Sequence, residues 1–235
     1  MLHDRLKASR PPTRIAETNM KRWPVGSLAQ SAIQAALAAR AKLGALADDP
    51  TRIAQVRVFA EEGAYEHLVK IRAAPYEPIS RETADHSMPY IVAAAVLDGF
   101  IRTESFAASR VRDPARLRFV KEKVTVAAAP ELGTLAGGKH KRHEAGYLSR
   151  VEIALADGSV VHGEARPFPG HPKNPFTDAD LAAKLNDNMS AVAGPDRTRA
   201  LTECLANVEN VANARELTML LALPAACGVD AVVSE

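Results

Sequence analysis

Cysteine is nearly absent from the sequence: Cys204 and Cys227 are the only two in 235 residues, with no CxxC pair and no Cys/His spacing. That excludes a disulfide framework, offers no basis for structural zinc or an iron-sulfur cluster, and points to a reduced, cytoplasmic compartment. Long apolar runs are also missing. Nothing approaches the roughly 18 to 20 uninterrupted apolar residues of a membrane span. The N-terminal stretch carries His3, Asp4, Arg5, Lys7, Arg10 and Arg14 without the apolar core of a signal peptide. Nor does one charge dominate. Lys and Arg total 30 against 28 Asp and Glu, a net charge of +2, which gives no general drive toward nucleic acid or anionic membrane. A soluble protein with no membrane or nucleic-acid partner is expected, and its partners have to be argued from sites.

What is present is a hydrophobic fraction of 47%, enough for a packed core in one large domain or two small ones. Residues 27–43 repeat apolar positions (Leu28, Ala32, Ile33, Ala36, Leu37, Leu43) at helical spacing between Gly26-Ser27 and Gly44, which predicts a helix. Residues 53–59 alternate, with Ile53, Gln55, Arg57 and Phe59 on one side and Ala54, Val56 and Val58 on the other, as a half-buried strand does. A proline-containing loop is expected over 72–85. The run "SMPYIVAAAVLDGF" is apolar on nearly every side and predicts a helix buried all round, with Pro89 in its first turn and Gly99 closing it. Asp113-Pro114 reads as an N-cap and first-turn pair, and "KVTVAAA" as a strand. Asp157-Gly158 between two alternating runs predicts a β-hairpin. From Thr177, an N-cap, the chain reads as helices to its end. The fold class expected is α+β. An α/β unit over 47–170 is inserted between helical pieces, 1–46 and 171–235, that form a thin second body.

Four stretches in order, "MKRWPVGSLAQSAIQAAL", "ETADHSMPYIVAAAVLDG", "VEIALADGSVV" and "GHPKNPFTDADLAAKL", resemble the second half of the MmgE/PrpD family. That family includes 2-methylcitrate dehydratase and cis-aconitate decarboxylase. The resemblance covers nearly the whole chain and implies an all-helical domain, a smaller α/β lid and an active site in the cleft between them. Family members are considerably longer. The N-terminal helical half, with its active-site Asp and His residues, has no counterpart here, so either this is a fragment or another chain supplies the rest.

Read from its residues alone, Lys21 beside the Trp23-Pro24 corner is a solvated surface cation. The resemblance makes it an active-site residue, suited to bind a carboxylate and to stabilise the enediolate-like charge left when a proton leaves the adjacent carbon. Tyr65, just after what reads as an edge strand, packs with its hydroxyl at the surface on the bland reading. Counted from Lys21, it falls near the family's lid-domain Tyr, whose phenol could donate a proton to a leaving hydroxyl. His86 before the buried helix and His171 in "GHPKNP" are structural histidines by chemistry alone and substrate-binding candidates by position. Arg22 either turns toward the acid or solvates the corner. The basic run "GGKHKRHE" at 137–144 lacks interleaved aromatics and reads as an exposed loop rather than a nucleic-acid patch.

The resemblance implies a metal-free lyase without cofactor, acting on a di- or tricarboxylic acid. Elimination of water as in 2-methylcitrate dehydratase, part of propionate catabolism, is favoured over decarboxylation or epimerisation. Partners expected are the polycarboxylate and either a second copy in a homodimer or a complementing N-terminal helical chain. The rival reading is an inert remnant or partner-binding subunit, exposing Leu201, Leu205, Leu217, Leu220 and Leu221 on its C-terminal helices.

Overall fold

The chain is described by a computed structural model over residues 17–137, 145–164 and 166–222; the basic run from 138 to 144 and Cys227 lie outside the described residues. The Asp157-Gly158 turn forms as predicted. Gly158 takes a φ of 87° and Asp157 Oδ1 accepts from Ser159 N at 2.9 Å and Oγ at 2.7 Å. The strands on either side, β3 (Ser149–Leu155) and β4 (Val160–Gly163), pair antiparallel. Strand β1 (Ile53–Ala60) pairs antiparallel with β3 and parallel with β2 (Val124–Ala128), giving the order β2-β1-β3-β4. β1 is therefore central. The edge position expected from sequence is corrected by a parallel partner more than sixty residues downstream, a pairing no local pattern reveals.

The expected sidedness of β1 needs a second correction. A register shift between Ile53 and Gln55 turns the strand, so Ile53 is buried together with Val56, Val58 and Ala60. A bulge adds one residue and moves everything before it to the opposite face. The other face carries cross-strand pairs: Arg57 bonds Glu152 at 2.8 Å, and Arg150 stacks on Phe59 with its guanidinium carbon 4.5 Å from the ring centre.

Two helices cover the apolar face. Helix α1 (Gln30–Leu43), entered through a 3-10 turn at Ser27–Ala29, packs on β3 and β4 and joins the same apolar cluster as the sheet. Its buried stripe is made of small residues, Ala29, Ala32, Ala35, Ala36 and Ala39 with Ile33, while Leu28 and Leu37 are half-buried. Close approach explains the alanines. A Cβ on Gly163 in β4 would stand 1.8 Å from the Ala35 carbonyl oxygen, so helix and strand meet backbone to backbone. Between β1 and β2 the chain forms α2 (Glu62–Tyr65), a π-turn at Glu66–Lys70, α3 (Arg81–Ala84), α4 (Met88–Asp98), α5 (Ala108–Val111) and α6 (Pro114–Lys123). The short α3, with its Ser80–Thr83 capping box, interrupts the loop expected over 72–85.

Helix α4 is the core of the unit. Every residue from Met88 to Val96 is buried. Ser87 Oγ caps it by accepting from Tyr90 N at 3.1 Å, and Gly99 closes it at φ 75°. Arg40 of α1 reaches across to the Val96 carbonyl at 2.8 Å, and the buried Tyr90 hydroxyl donates to Ser105 O at 2.9 Å.

The C-terminal helices are different in kind. In α7 (Asp178–Ala193) and α9 (Ala214–Leu221) no residue is buried, and in α8 (Pro195–Ala206) only Thr198 and Leu201 are. Of the leucines expected to be exposed, Leu205 and Leu221 are, Leu217 and Leu220 are half-buried, and Leu201 is fully buried within the α7–α8–α9 packing. The α+β class expected from sequence holds. Among the described residues no helix is long and apolar enough to cross a membrane.

Candidate functional site

The Trp-Pro corner is locked by one side chain. Gln30 opens α1, is fully buried, and presents its amide edge-on to the backbone: Oε1 accepts from Arg22 N at 2.9 Å and Trp23 N at 3.1 Å, while Nε2 donates to Trp23 O at 3.0 Å. A Gln matches that donor and acceptor pattern, which an apolar residue could not. Two residues before Arg22, Met20 N donates to Gly170 O at 2.8 Å. Gly170 has a φ of 93°, and a Cβ there would lie 2.1 Å from Met20 O, so glycine is required on both counts.

Helix α7 secures the same segment from outside. Lys184 Nζ donates to Lys21 O at 2.6 Å, and Asp187 accepts from Arg22 at 3.0 Å and pairs with Arg102 at 3.1 Å. Burial, followed by the nearby Arg22 and Lys21 charges, lowers the Lys184 pKa from its usual value. Lys21 itself is exposed, and its ammonium forms no ion pair or hydrogen bond among the described residues. The backbone around it is held at Met20, Lys21, Arg22 and Trp23, while the ammonium has no partner among the described residues.

Beyond the corner lies an open cavity of about 370 Å³, a size suited to a small molecule. Gly26, Ser27 and Leu28 form one wall, His67 and Arg72 another, and His86 and Tyr147 close it. Local chemistry sets each wall. Glu61, buried, starts the helical turn by accepting from Gly63 N (2.9 Å) and Ala64 N (2.7 Å), and the π-turn that follows carries His67. Arg72 is fixed by its Nε–H to His67 O at 2.8 Å. His86 Nδ1 lies against the neighbouring Asp85 carboxylate and 3.2 Å from Glu82 O. Tyr147 has a φ of 51°, the one non-glycine among the described residues in the left-handed region, a strained backbone of the sort that clusters at binding sites.

Of the residues predicted from sequence, only His86 lines this cavity. Lys21 and Arg22 are not among its lining residues; they lie on the segment that leads into the Gly26–Leu28 lining, with Arg22 engaged by Asp187. Tyr65 sits two residues before His67, half-buried against the core. His171 is buried: its ring meets Phe168 edge-on at 5.7 Å, and Nδ1 accepts from Lys173 N at 3.0 Å, which puts the proton of a neutral ring on Nε2. It packs beneath Gly146, the neighbour of Tyr147, where an added Cβ would lie 3.4 Å from the ring. Sequence reasoning missed Ser27, His67, Arg72 and Tyr147. A His and an Arg five apart in "YEHLVKIR" carry no motif, and only the π-turn brings them to one wall. Among the described residues no three His, Cys, Asp or Glu side chains converge as metal ligands.

The cavity lining carries Arg72 with His67 and His86, and the segment that leads into its Gly26–Leu28 lining carries Lys21. That is a setting for an anion with more than one negative group. Cis-aconitate decarboxylase of Homo sapiens is 27% identical over 147 residues, 63% of this chain and 29% of the relative; that of Mus musculus is 28% identical over 147 residues, 63% of this chain and 28% of the relative. The match thus spans under a third of the relatives' length. The profile of the MmgE/PrpD C-terminal domain matches residues 23–210, from the corner through α8, and on that match the chain belongs to the MmgE/PrpD family.

Proposed function

We propose that this chain is the C-terminal, lid-bearing part of a lyase acting on a di- or tricarboxylic acid by side-chain acid-base chemistry. The observation that carries the reading is a cavity lined by Arg72, His67 and His86, entered from a segment whose backbone is held at Lys21 while the Lys21 ammonium has no partner among the described residues. A carboxylate bound at Lys21 has its charge, and the charge that builds on it when the neighbouring carbon loses a proton, stabilised at a site that needs no rearrangement. A base from the completing helical segment takes the C–H proton, whose electron pair forms the new double bond, while the phenol of Tyr65, two residues from the cavity-lining His67, gives a proton to the departing hydroxyl and water leaves. His86 and Arg72 hold a second carboxylate, and Arg22 and His171 support the site from the corner and from beneath Tyr147.

The finer reaction is elimination of water, as in 2-methylcitrate dehydratase. The relatives named cis-aconitate decarboxylase favour a second chemistry in the same anionic site. There the bond to one carboxylate breaks, carbon dioxide leaves, and the electron pair is held by the carboxylate at Lys21 until carbon is protonated. Incubation with 2-methylcitrate and with cis-aconitate, followed by product analysis, separates the two. Turnover of neither, with or without a helical partner, refutes the lyase reading.

The sparsely buried C-terminal helices support a further part of the proposal, a helical body completed by another segment or chain, within a cytoplasmic homodimer or a complex with an N-terminal helical chain. Leu181, Val192, Met219 and Leu221 are each more than 40% exposed, more apolar surface than a finished helical face leaves uncovered. Purified alone, the chain should bind an apolar dye and gain turnover on addition of the helical partner. A dye-negative chain with full turnover would leave no need for one.

A further inference from the structure

We infer that Lys184 is a positioning residue for the Lys21 cation, so that helix α7 sets the geometry of the site without touching substrate. This rests on the assignment of Lys21 as the carboxylate-binding cation. Three observations carry it. Lys184 Nζ donates to the Lys21 carbonyl at 2.6 Å, a charge-assisted bond to the residue whose ammonium has no partner among the described residues. One turn further on, Asp187 grips Arg22 at 3.0 Å, so the two α7 side chains hold consecutive residues of the corner. The third is what Lys184 gives up for this place. Its ammonium is partly withdrawn from water, lies over the Phe176 ring at 5.7 Å, and stands close to two like charges, which lower its pKa. A lysine with no task would extend into solvent instead.

The consequence is a link between the C-terminal helices and the cleft. Met20 is tied to Gly170, and the Arg22 and Trp23 backbone to Gln30 of α1, whereas the Lys21 carbonyl and the Arg22 guanidinium are tied to α7.

The test uses the full chain with Lys184→Met and Lys184→Arg, and Lys21→Met as reference. Hydrogen exchange is read at the Met20–Trp23 amides, and citrate serves as the tricarboxylate probe, followed by the fluorescence of Trp23, the only Trp. Lys184→Met is expected to speed exchange at these amides and weaken citrate binding about tenfold, as when one charge-assisted contact is weakened. Lys184→Arg should restore both, with the melting temperature of each variant unchanged. Unaltered exchange and citrate affinity in Lys184→Met overturns the inference, as does failure of Lys184→Arg to rescue. If Lys21→Met binds citrate as well as the parent, the carboxylate-binding role of Lys21 falls instead, and the exchange rates still decide whether Lys184 orders the corner.

Discussion

Replacing Gln30 by Met removes the amide that locks the Trp-Pro corner and keeps the side chain's length and volume. Three bonds are lost, two accepted from Arg22 N and Trp23 N and one donated to Trp23 O. At roughly 0.5 to 1.5 kcal/mol for each, the loss is about 1.5 to 4.5 kcal/mol. The backbone partners are only partly buried, and water reaching them brings the expectation to about 2 to 3 kcal/mol. Urea unfolding followed by far-UV circular dichroism measures it, as a lower midpoint at unchanged slope. Acrylamide quenching of Trp23 adds a local readout, because a loosened corner opens the indole to the quencher. Gln30→Glu should do no better: it keeps the two acceptor bonds but turns a buried carboxylate toward the Trp23 carbonyl. A Gln30→Met protein within about 0.5 kcal/mol of the parent, with the same quenching, would refute the claim that this residue orders the corner.

Other parts of the structure make equally definite statements. Gly163→Ala sets a Cβ 1.8 Å from the Ala35 carbonyl oxygen, backbone against backbone, and should cost more than about 3 kcal/mol in a thermal melt. Arg116→Met removes a nearly buried guanidinium from Asp98, which it meets at 2.7 Å; even with Arg110 still at 2.9 Å, the loss should reach about 3 kcal/mol. Burial pushes the Tyr90 hydroxyl from 10.0 up to about 12. A group whose pKa is raised by folding contributes its stability below the unfolded value and loses it as pH rises, so the parent should lose stability between pH 10 and 12 by an amount that Tyr90→Phe does not.

Much of the frame was legible in the chain because it is written locally. Asp157-Gly158 specified the hairpin, Pro89 and Gly99 bracketed the buried helix, and Thr177 capped α7, each through chemistry confined to a few residues. What escaped was non-local. The parallel partner that makes β1 central lies across the whole crossover, and the bulge that turns Ile53 inward has no composition of its own. The alanine stripe of α1 made sense only once Gly163 was seen against Ala35. The candidate site divides in the same way. Lys21 and His86 stood out through their neighbours in sequence, whereas His67, Arg72 and Tyr147 reach the cavity through a π-turn and a left-handed residue. The Gln30 lock and the Lys184 tether join residues that no periodicity relates.

The central claim is that Lys21 and the cavity lined by His67, Arg72 and His86 together receive a polycarboxylate, and titration of Trp23 fluorescence with cis-aconitate at constant ionic strength tests it most directly. A saturable change is predicted for cis-aconitate, absent with acetate at matched charge and weakened at least about tenfold by Lys21→Met or Arg72→Met, the loss expected when one charge-assisted contact is removed. An equal response to acetate, or cis-aconitate binding indifferent to both substitutions, would contradict it.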